Sequence, residues 1–275
     1  MGTIWAVYVC VVAAMIGLVM GSFLNCYAIR ICNGEPIAQG KSRSHCMSCG
    51  HQLAARDLVP LFSWLSTGGK CRYCGEPVSI RYPMTELVTA IVYVSLVIRF
   101  GLTLDCAEMI LLFSCALCAA FADIEDYLIP DRFIIAGIVI KIAYVIAESC
   151  IPYSVDRMMY GSFGATIKAL GLQTIVGGLS IALPLLLLVL VGEKLLDREL
   201  MGGGDIKLLF VFGMYFYWMI NIISLFIACV LGIIGGIALN KKGIDRIPWG
   251  PYIVAAYWIV ALCGYEILGA YISLF

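Results

Sequence analysis

Residues 202–240 read GGGDIKLLFVFGMYFYWMINIISLFIACVLGIIGGIALN. From Ile206 to Asn240 the only charge is Lys207, and the run is longer than the roughly 20 apolar residues that fill the hydrocarbon of a bilayer. It reads either as one long helix or as two crossings, 206–217 and 219–240, broken near Tyr217 and Trp218. Further apolar runs of crossing length fall at about 4–29, 84–104, 107–123, 133–150, 173–192 and 248–273. The whole chain of 275 residues is 62% hydrophobic and 13% charged, with mean hydropathy +0.98. Soluble domains carry roughly 45–50% apolar and about 25% charged residues, so a water-facing globule is excluded. The first 29 residues hold no charge, so no cleavable signal peptide with a basic leading region is expected.

The basic residues settle the 206–240 ambiguity. Arg30, Lys41, Arg43, Arg56, Lys70, Arg72 and Arg81 lie in 30–83, Arg132 in 124–132, Lys194, Arg198 and Lys207 in 193–207, and Lys241, Lys242 and Arg246 in 241–246. Lysine and arginine concentrate in cytoplasmic loops, which puts all four segments inside. Spans must then come in pairs between them, and 206–240 is expected to be a hairpin with a tight outer turn. The expected fold is an all-α polytopic membrane protein of about eight transmembrane helices, with both termini outside. Arg157 and Lys168 fall in an outer loop, and Arg99 and Lys141 within spans. With 18 basic against 18 acidic residues the net charge is zero, which removes a polybasic nucleic-acid surface as the organising feature.

The segment 30–83, between the first two spans, is the one substantial water-facing piece and is short for a self-sufficient core. It holds Cys46-Met47-Ser48-Cys49-Gly50 and Cys71-Arg72-Tyr73-Cys74-Gly75, two Cys-x-x-Cys-Gly knuckles separated by 21 residues. Cys46, Cys49, Cys71 and Cys74 complete a closed tetrahedral zinc shell, structural because no position is left for water. Disulfide pairing is the alternative, opposed by the reducing side of the membrane that the basic residues assign to this loop. His45 and His51 read as surface residues. Cys10, Cys26, Cys115, Cys118, Cys229 and Cys263 sit in apolar runs and read as small packing residues. The domains expected are transmembrane helix 1 at 1–29, a zinc-binding cytoplasmic domain at 30–83, and a second transmembrane domain at 84–275.

Ionisable groups at membrane depth are costly and mark function. Asp123 ends the third run and Asp205 opens the sixth, after Gly202, Gly203 and Gly204, whose missing side chains let a helix or a substrate backbone approach. Two facing carboxylates share a proton, one acting as base on a water while the other donates to a scissile carbonyl, which is aspartic-protease chemistry. Charges capping helix ends are the competing reading. It is preferred for Glu125, Asp126, Glu193, Asp197 and Glu199, while Asp123 and Asp205 stay open between the two. Asp131, past Pro130, reads as structural. Lys207 lies off the helical face of Asp205 and is expected to reach lipid phosphate or a substrate carbonyl.

Gly21-Ser22-Phe23-Leu24-Asn25, the paired knuckles, Asp57-Leu58-Val59-Pro60, Arg81-Tyr82-Pro83 with Glu86, Asp123 to Asp131, Gly202 to Lys207 and Ile247-Pro248-Trp249-Gly250-Pro251-Tyr252 occur in one order along most of the chain. In that order they resemble the type IV prepilin peptidases, bifunctional leader peptidases and N-methyltransferases of bacterial pilus and type II secretion systems. The Gly-Asp element is similar to that of presenilin-type and signal-peptide-peptidase-type intramembrane proteases. Trp249 stands where that family usually has Phe, which keeps an aromatic.

The resemblance implies Asp123 and Asp205 as the catalytic dyad, with Gly202, Gly203, Gly204 and Lys207 around it. It implies a prepilin or pseudopilin substrate with a short basic leader ahead of an apolar helix, cleaved on the cytoplasmic face of the bacterial inner membrane. It further implies methyl transfer from S-adenosylmethionine to the new α-amine, with Glu86 as a candidate for contacting that amine; a helix N-terminal acid opposing the macrodipole is the plainer role. The lipid bilayer and pilus or type II secretion assembly proteins complete the partners the resemblance implies, with no nucleic acid. Two other classes stay in view: an ion-coupled transporter using the carboxylates, for which no repeat between halves is evident, and a non-enzymatic zinc-knuckle anchor for pilus assembly.

Overall fold

The computed structural model describes residues 3–34, 44–197, 200–240 and 247–273. Lys41, Arg43, Arg198, Glu199, Lys241, Lys242 and Arg246, used above to orient the chain or read as helix-end charges, lie outside the described residues. The chain divides into two compact units, Met1–Gly101 and Leu102–Phe275.

In the first unit, α1 (Thr3–Cys32) and α3 (Arg81–Phe100) pack on each other, with a 3₁₀ turn (Ala55–Asp57) and the short α2 (Phe62–Ser66) between them in sequence. Small residues set how close α1 and α3 come. A Cβ on Gly17 would lie 2.6 Å from Ala90 Cα, and one on Gly21 would lie 2.7 Å from Glu86 Cα, so the two backbones are nearly in contact at both glycines. The pairing of 17 with 90 and 21 with 86 makes the helices antiparallel.

The second unit holds α4 (Leu104–Asp126), α5 (Asp131–Cys150), α6 (Val155–Tyr160), α7 (Phe163–Leu196), α8 (Gly203–Gly213), α9 (Trp218–Asn240) and α10 (Gly250–Ile272). Starts are written locally: Thr103, Ser154 and Ser162 each accept a backbone N–H of the following first turn on their hydroxyls. Lys141, a charge inside α5, is buried and meets Glu108 of α4 at 3.0 Å, so neither charge is left alone in the apolar interior.

Among the described residues seven helices are long and apolar enough to cross a membrane, and the protein is a multi-pass membrane protein. The 206–240 run is indeed two helices, with the turn at 214–217. The eighth crossing differs from expectation, however. With 11 residues α8 is about 16 Å long, roughly half the hydrocarbon thickness.

A helix that stops short leaves carbonyls without partners. Nδ2 of Asn221, fully buried in α9, lies 3.0 Å from Gly177 O and Ser180 Oγ, 3.3 Å from Gly213 O and 3.4 Å from Phe216 O. Tyr257 Oη donates back to Asn221 Oδ1 at 3.3 Å. Gly177 of α7 and Gly213 of α8 let the two backbones touch: a Cβ on Gly213 would sit 2.6 Å from Gly177 O. Phe212 stacks on Tyr257 of α10 with ring centroids 4.4 Å apart. Replacing Asn221 by Leu should therefore lower the unfolding midpoint in detergent by about 4–8 °C, because buried carbonyls lose their donor at roughly 1–3 kcal/mol. Gly213→Leu should do at least as much. Fluorescence-detected size exclusion after heating reads both, and an Asn221→Leu protein as stable as wild type would remove this role for the amide.

Candidate active site

Asp123 is the last buried residue of α4, one turn before that helix ends at Asp126. Tyr127 closes the helix in the left-handed region (φ 55°) and its N–H donates to Asp123 O at 2.9 Å, which turns the chain sharply below the carboxylate. Gly250, the first residue of α10, donates its N–H to Asp123 Oδ2 at 2.8 Å. A Cβ on Gly250 would lie 2.9 Å from the same oxygen, so a glycine is required for the helix start to come this close. A helix N-terminus presents unpaired N–H groups and a positive dipole end, which is a seat for an anion.

Asp205 occupies the first turn of α8, with Gly202 as the residue before the helix. Asp123 and Asp205 line one cavity of about 310 Å³ together with the 127–131 connection, Gly202–Gly204 and Lys207. The three glycines do different things. Gly204 packs on Ile129, where a Cβ would come within 3.1 Å; a Cβ on Gly202 would come within 3.2 Å of Asp205 Oδ2; and Gly203 faces open space. A substrate backbone thus has room beside Asp205 at Gly203.

Lys207 Nζ pairs with Asp131 Oδ1 at 2.6 Å and ties the start of α8 to the start of α5 on an exposed edge of the cavity. Both members lie in the Asp123–Asp131 and Gly202–Lys207 motifs, yet spacing in sequence gives no sign that they meet. Gly250 was equally hidden: it stands in a motif, 127 residues from the carboxylate it touches.

In the first unit the two knuckles are built alike. Cys46 N–H donates to His51 O at 2.9 Å and Gly50 N–H returns to Cys46 O at 2.9 Å; Cys71 N–H donates to Glu76 O at 2.8 Å and Gly75 N–H to Cys71 O at 2.9 Å. Gly50 (φ 71°) and Gly75 (φ 77°) take the left-handed turn each knuckle needs. The four sulfurs all lie within 4.8 Å of one another, with Cys46 and Cys74 at 3.9 Å. Sulfurs at 2.3 Å from a tetrahedral zinc would be about 3.8 Å apart, so the donor set fits that ion. Backbone amides of Cys49 and then Ser48 bring the Cys46 thiol down to about 6. His51, exposed, lies against Tyr73 with ring centroids 3.7 Å apart and the rings tilted by 30°.

Asp57 joins the second knuckle to the 3₁₀ turn. Tyr73 Oη donates to it at 2.8 Å, Arg72 Nε at 2.9 Å and the Ala54 N–H at 3.1 Å, and these donors, Tyr73 foremost, hold its carboxyl below the usual carboxylate range. Glu86 is buried in α3, with Oε2 accepting the Leu61 N–H at 2.7 Å, where Leu61 itself has φ 61°.

Residues 15–100 match the bacterial peptidase A24 N-terminal domain, and residues 110–237 match the type IV leader peptidase family. Among similar proteins is the prepilin leader peptidase/N-methyltransferase of Xanthomonas campestris pv. campestris, 31% identical over 94% of this chain and 93% of its own length. That of Pseudomonas aeruginosa is 28% identical over 94% of this chain and 92% of its own length. That of Myxococcus xanthus is 30% identical over 86% of this chain, which spans 64% of the Myxococcus protein. No solved structure matches. The chain belongs to the type IV leader peptidase family.

Proposed function

We propose that this protein removes the leader peptide from type IV prepilins or pseudopilins and then methylates the new N-terminal amine. The observation that carries the peptidase reading is the shared cavity of Asp123 and Asp205, with a helix N-terminus on one carboxylate and an open glycine beside the other. Asp123, bonded to the Gly250 N–H, is the ionised member and takes a proton from the attacking water. No hydrogen bond reaches the Asp205 carboxylate from the described residues, and Asp205 as the protonated member donates to the scissile carbonyl oxygen. The tetrahedral intermediate collapses as a proton passes to the leaving amine. Lys207 and Asp131 fix the mouth of the cavity, and the scissile backbone lies against Gly203. A transporter or a non-enzymatic anchor has no comparable support.

Active site and knuckles are assigned to the cytoplasmic side and both termini to the outside, on the distribution of the basic residues. The domain division assigned is helix 1 at 1–29, a zinc-binding domain at 30–83 and the peptidase domain at 84–275. Cys46, Cys49, Cys71 and Cys74 would hold one structural zinc, which crosslinks two stretches of a segment too small to fold on apolar burial alone. Methylation implies S-adenosylmethionine as donor. Glu86 is the residue assigned to the new amine.

The mass of a product pilin reports leader loss and methylation together. Wild type should release the leader. Asp123→Ala or Asp205→Ala should each lower cleavage by at least about 10³-fold with the protein folded and zinc-loaded. Gly250→Ala, which pushes on Asp123, should cost about 10–100-fold. Cleavage retained by both aspartate variants would refute the dyad. Elemental analysis should give one zinc per chain, lost when Cys46 and Cys71 are both changed to Ser; unchanged zinc in that variant would remove the metal assignment.

A further inference from the structure

A second cavity of about 350 Å³ adjoins the dyad in the same unit, within the size range of ligand pockets. Leu179, Leu183 and Leu186, spaced along one face of α7, oppose Ile206 and Phe210 of α8, and α5 closes the remaining side. Its wall is apolar throughout, so Lys207 contributes its methylene stem while its Nζ is drawn to Asp131. Lys207 lines both cavities, and Ile206 follows Asp205 directly in the chain. The three leucines are each more than a third exposed, and α7 is one of the helices apolar enough to cross the membrane.

We propose that this groove seats the apolar segment of the substrate that follows the scissile bond. This assignment rests on the peptidase reading and adds the substrate's path to it. A chain cut between the carboxylates must continue away from them. The polar cavity opens at Gly203, where a water-soluble leader fits, and the apolar groove leads from Ile206 and Lys207 along α7, where a membrane-soluble segment fits. The groove thus selects substrates whose apolar stretch begins directly after the cleavage point. A lipid chain fills the same wall when substrate is absent, and a substrate segment tethered to the bond held at the carboxylates displaces it.

The test uses the full-length protein in nanodiscs and two substrates: a prepilin with leader and apolar segment, and a soluble peptide ending a few residues past the scissile bond. Leu183→Trp fills the groove from an exposed position and should lower the ratio of kcat/KM for long over short substrate by at least about tenfold. Leu172→Trp, exposed on α7 outside the groove, should leave that ratio as in wild type. An unchanged ratio in Leu183→Trp overturns the proposal. A photoreactive benzoylphenylalanine replacing Leu183 in an Asp205→Asn background gives a readout that needs no catalysis. It should crosslink the long substrate, and crosslinking no greater than from position 172 also overturns the groove. Wild type that cleaves neither substrate would instead defeat the peptidase reading, while the crosslink still reports the groove.

Discussion

A helix of 11 residues in an apolar medium ends in carbonyls that must find partners; the backbone amides of 214–216 reach those of Phe210 to Gly213, and one side-chain amide, that of Asn221, adds a donor to the carbonyls of Gly213 and Phe216. Asn221 Nδ2 lies against the carbonyls of Gly213, the last residue of α8, and of Phe216 in the turn after it, and against Gly177 O of α7, and Tyr257 holds the other end of the amide. Because Gly177 and Gly213 allow the two backbones to touch, α8 is fixed at its far end by packing and hydrogen bonds together. The depth of Asp205 follows from where α8 is anchored. An eleven-residue helix clamped at Gly213 puts its first turn about 16 Å away, beside the end of α4 and the start of α10.

The polar chemistry is arranged around that placement. Asp123 receives the Gly250 amide, Asp131 receives Lys207, and Ile129 packs on Gly204, so three residues within nine positions of one motif each engage a different distant element. The exposed Lys207–Asp131 pair contributes little to stability by itself. Its effect is geometric, since it draws a cation off the apolar wall and leaves the wall continuous with the dyad cavity. In the first unit, knuckle and Asp57 form an analogous chain of dependence: Arg72 and Tyr73, between Cys71 and Cys74, are the residues that grip Asp57.

Much of this was legible in the sequence because it depends on local patterns. Apolar run length gives the helices, and the Cys-x-x-Cys-Gly repeat gives the metal donor set together with the turn glycines. The hairpin at 206–240 came from charge placement. Its unequal arms did not, because hydropathy measures how apolar a run is and takes no account of an Asn221 able to end a helix early. Contacts between distant motifs were hidden for a related reason. Gly250 on Asp123 and Lys207 on Asp131 are set by how helices pack, and a glycine read alone signals only that something comes close. Nothing in the sequence separates Leu179, Leu183 and Leu186 from a lipid-facing stripe; the groove exists only because α8 packs opposite them.

As proposed here, Asp123 and Asp205 act as one device on one bond. Isothermal titration with a leader-junction peptide whose scissile amide is replaced by a hydroxyethylene isostere tests this directly, because such a group binds a paired carboxylate site as a transition-state mimic. Wild type should bind one peptide per chain. Asp123→Asn and Asp205→Asn should each weaken binding by roughly a hundredfold, and the double variant no further than either single one, as expected for groups working as a unit. Binding that is unchanged in the single variants, or losses that simply add in the double, would contradict the account.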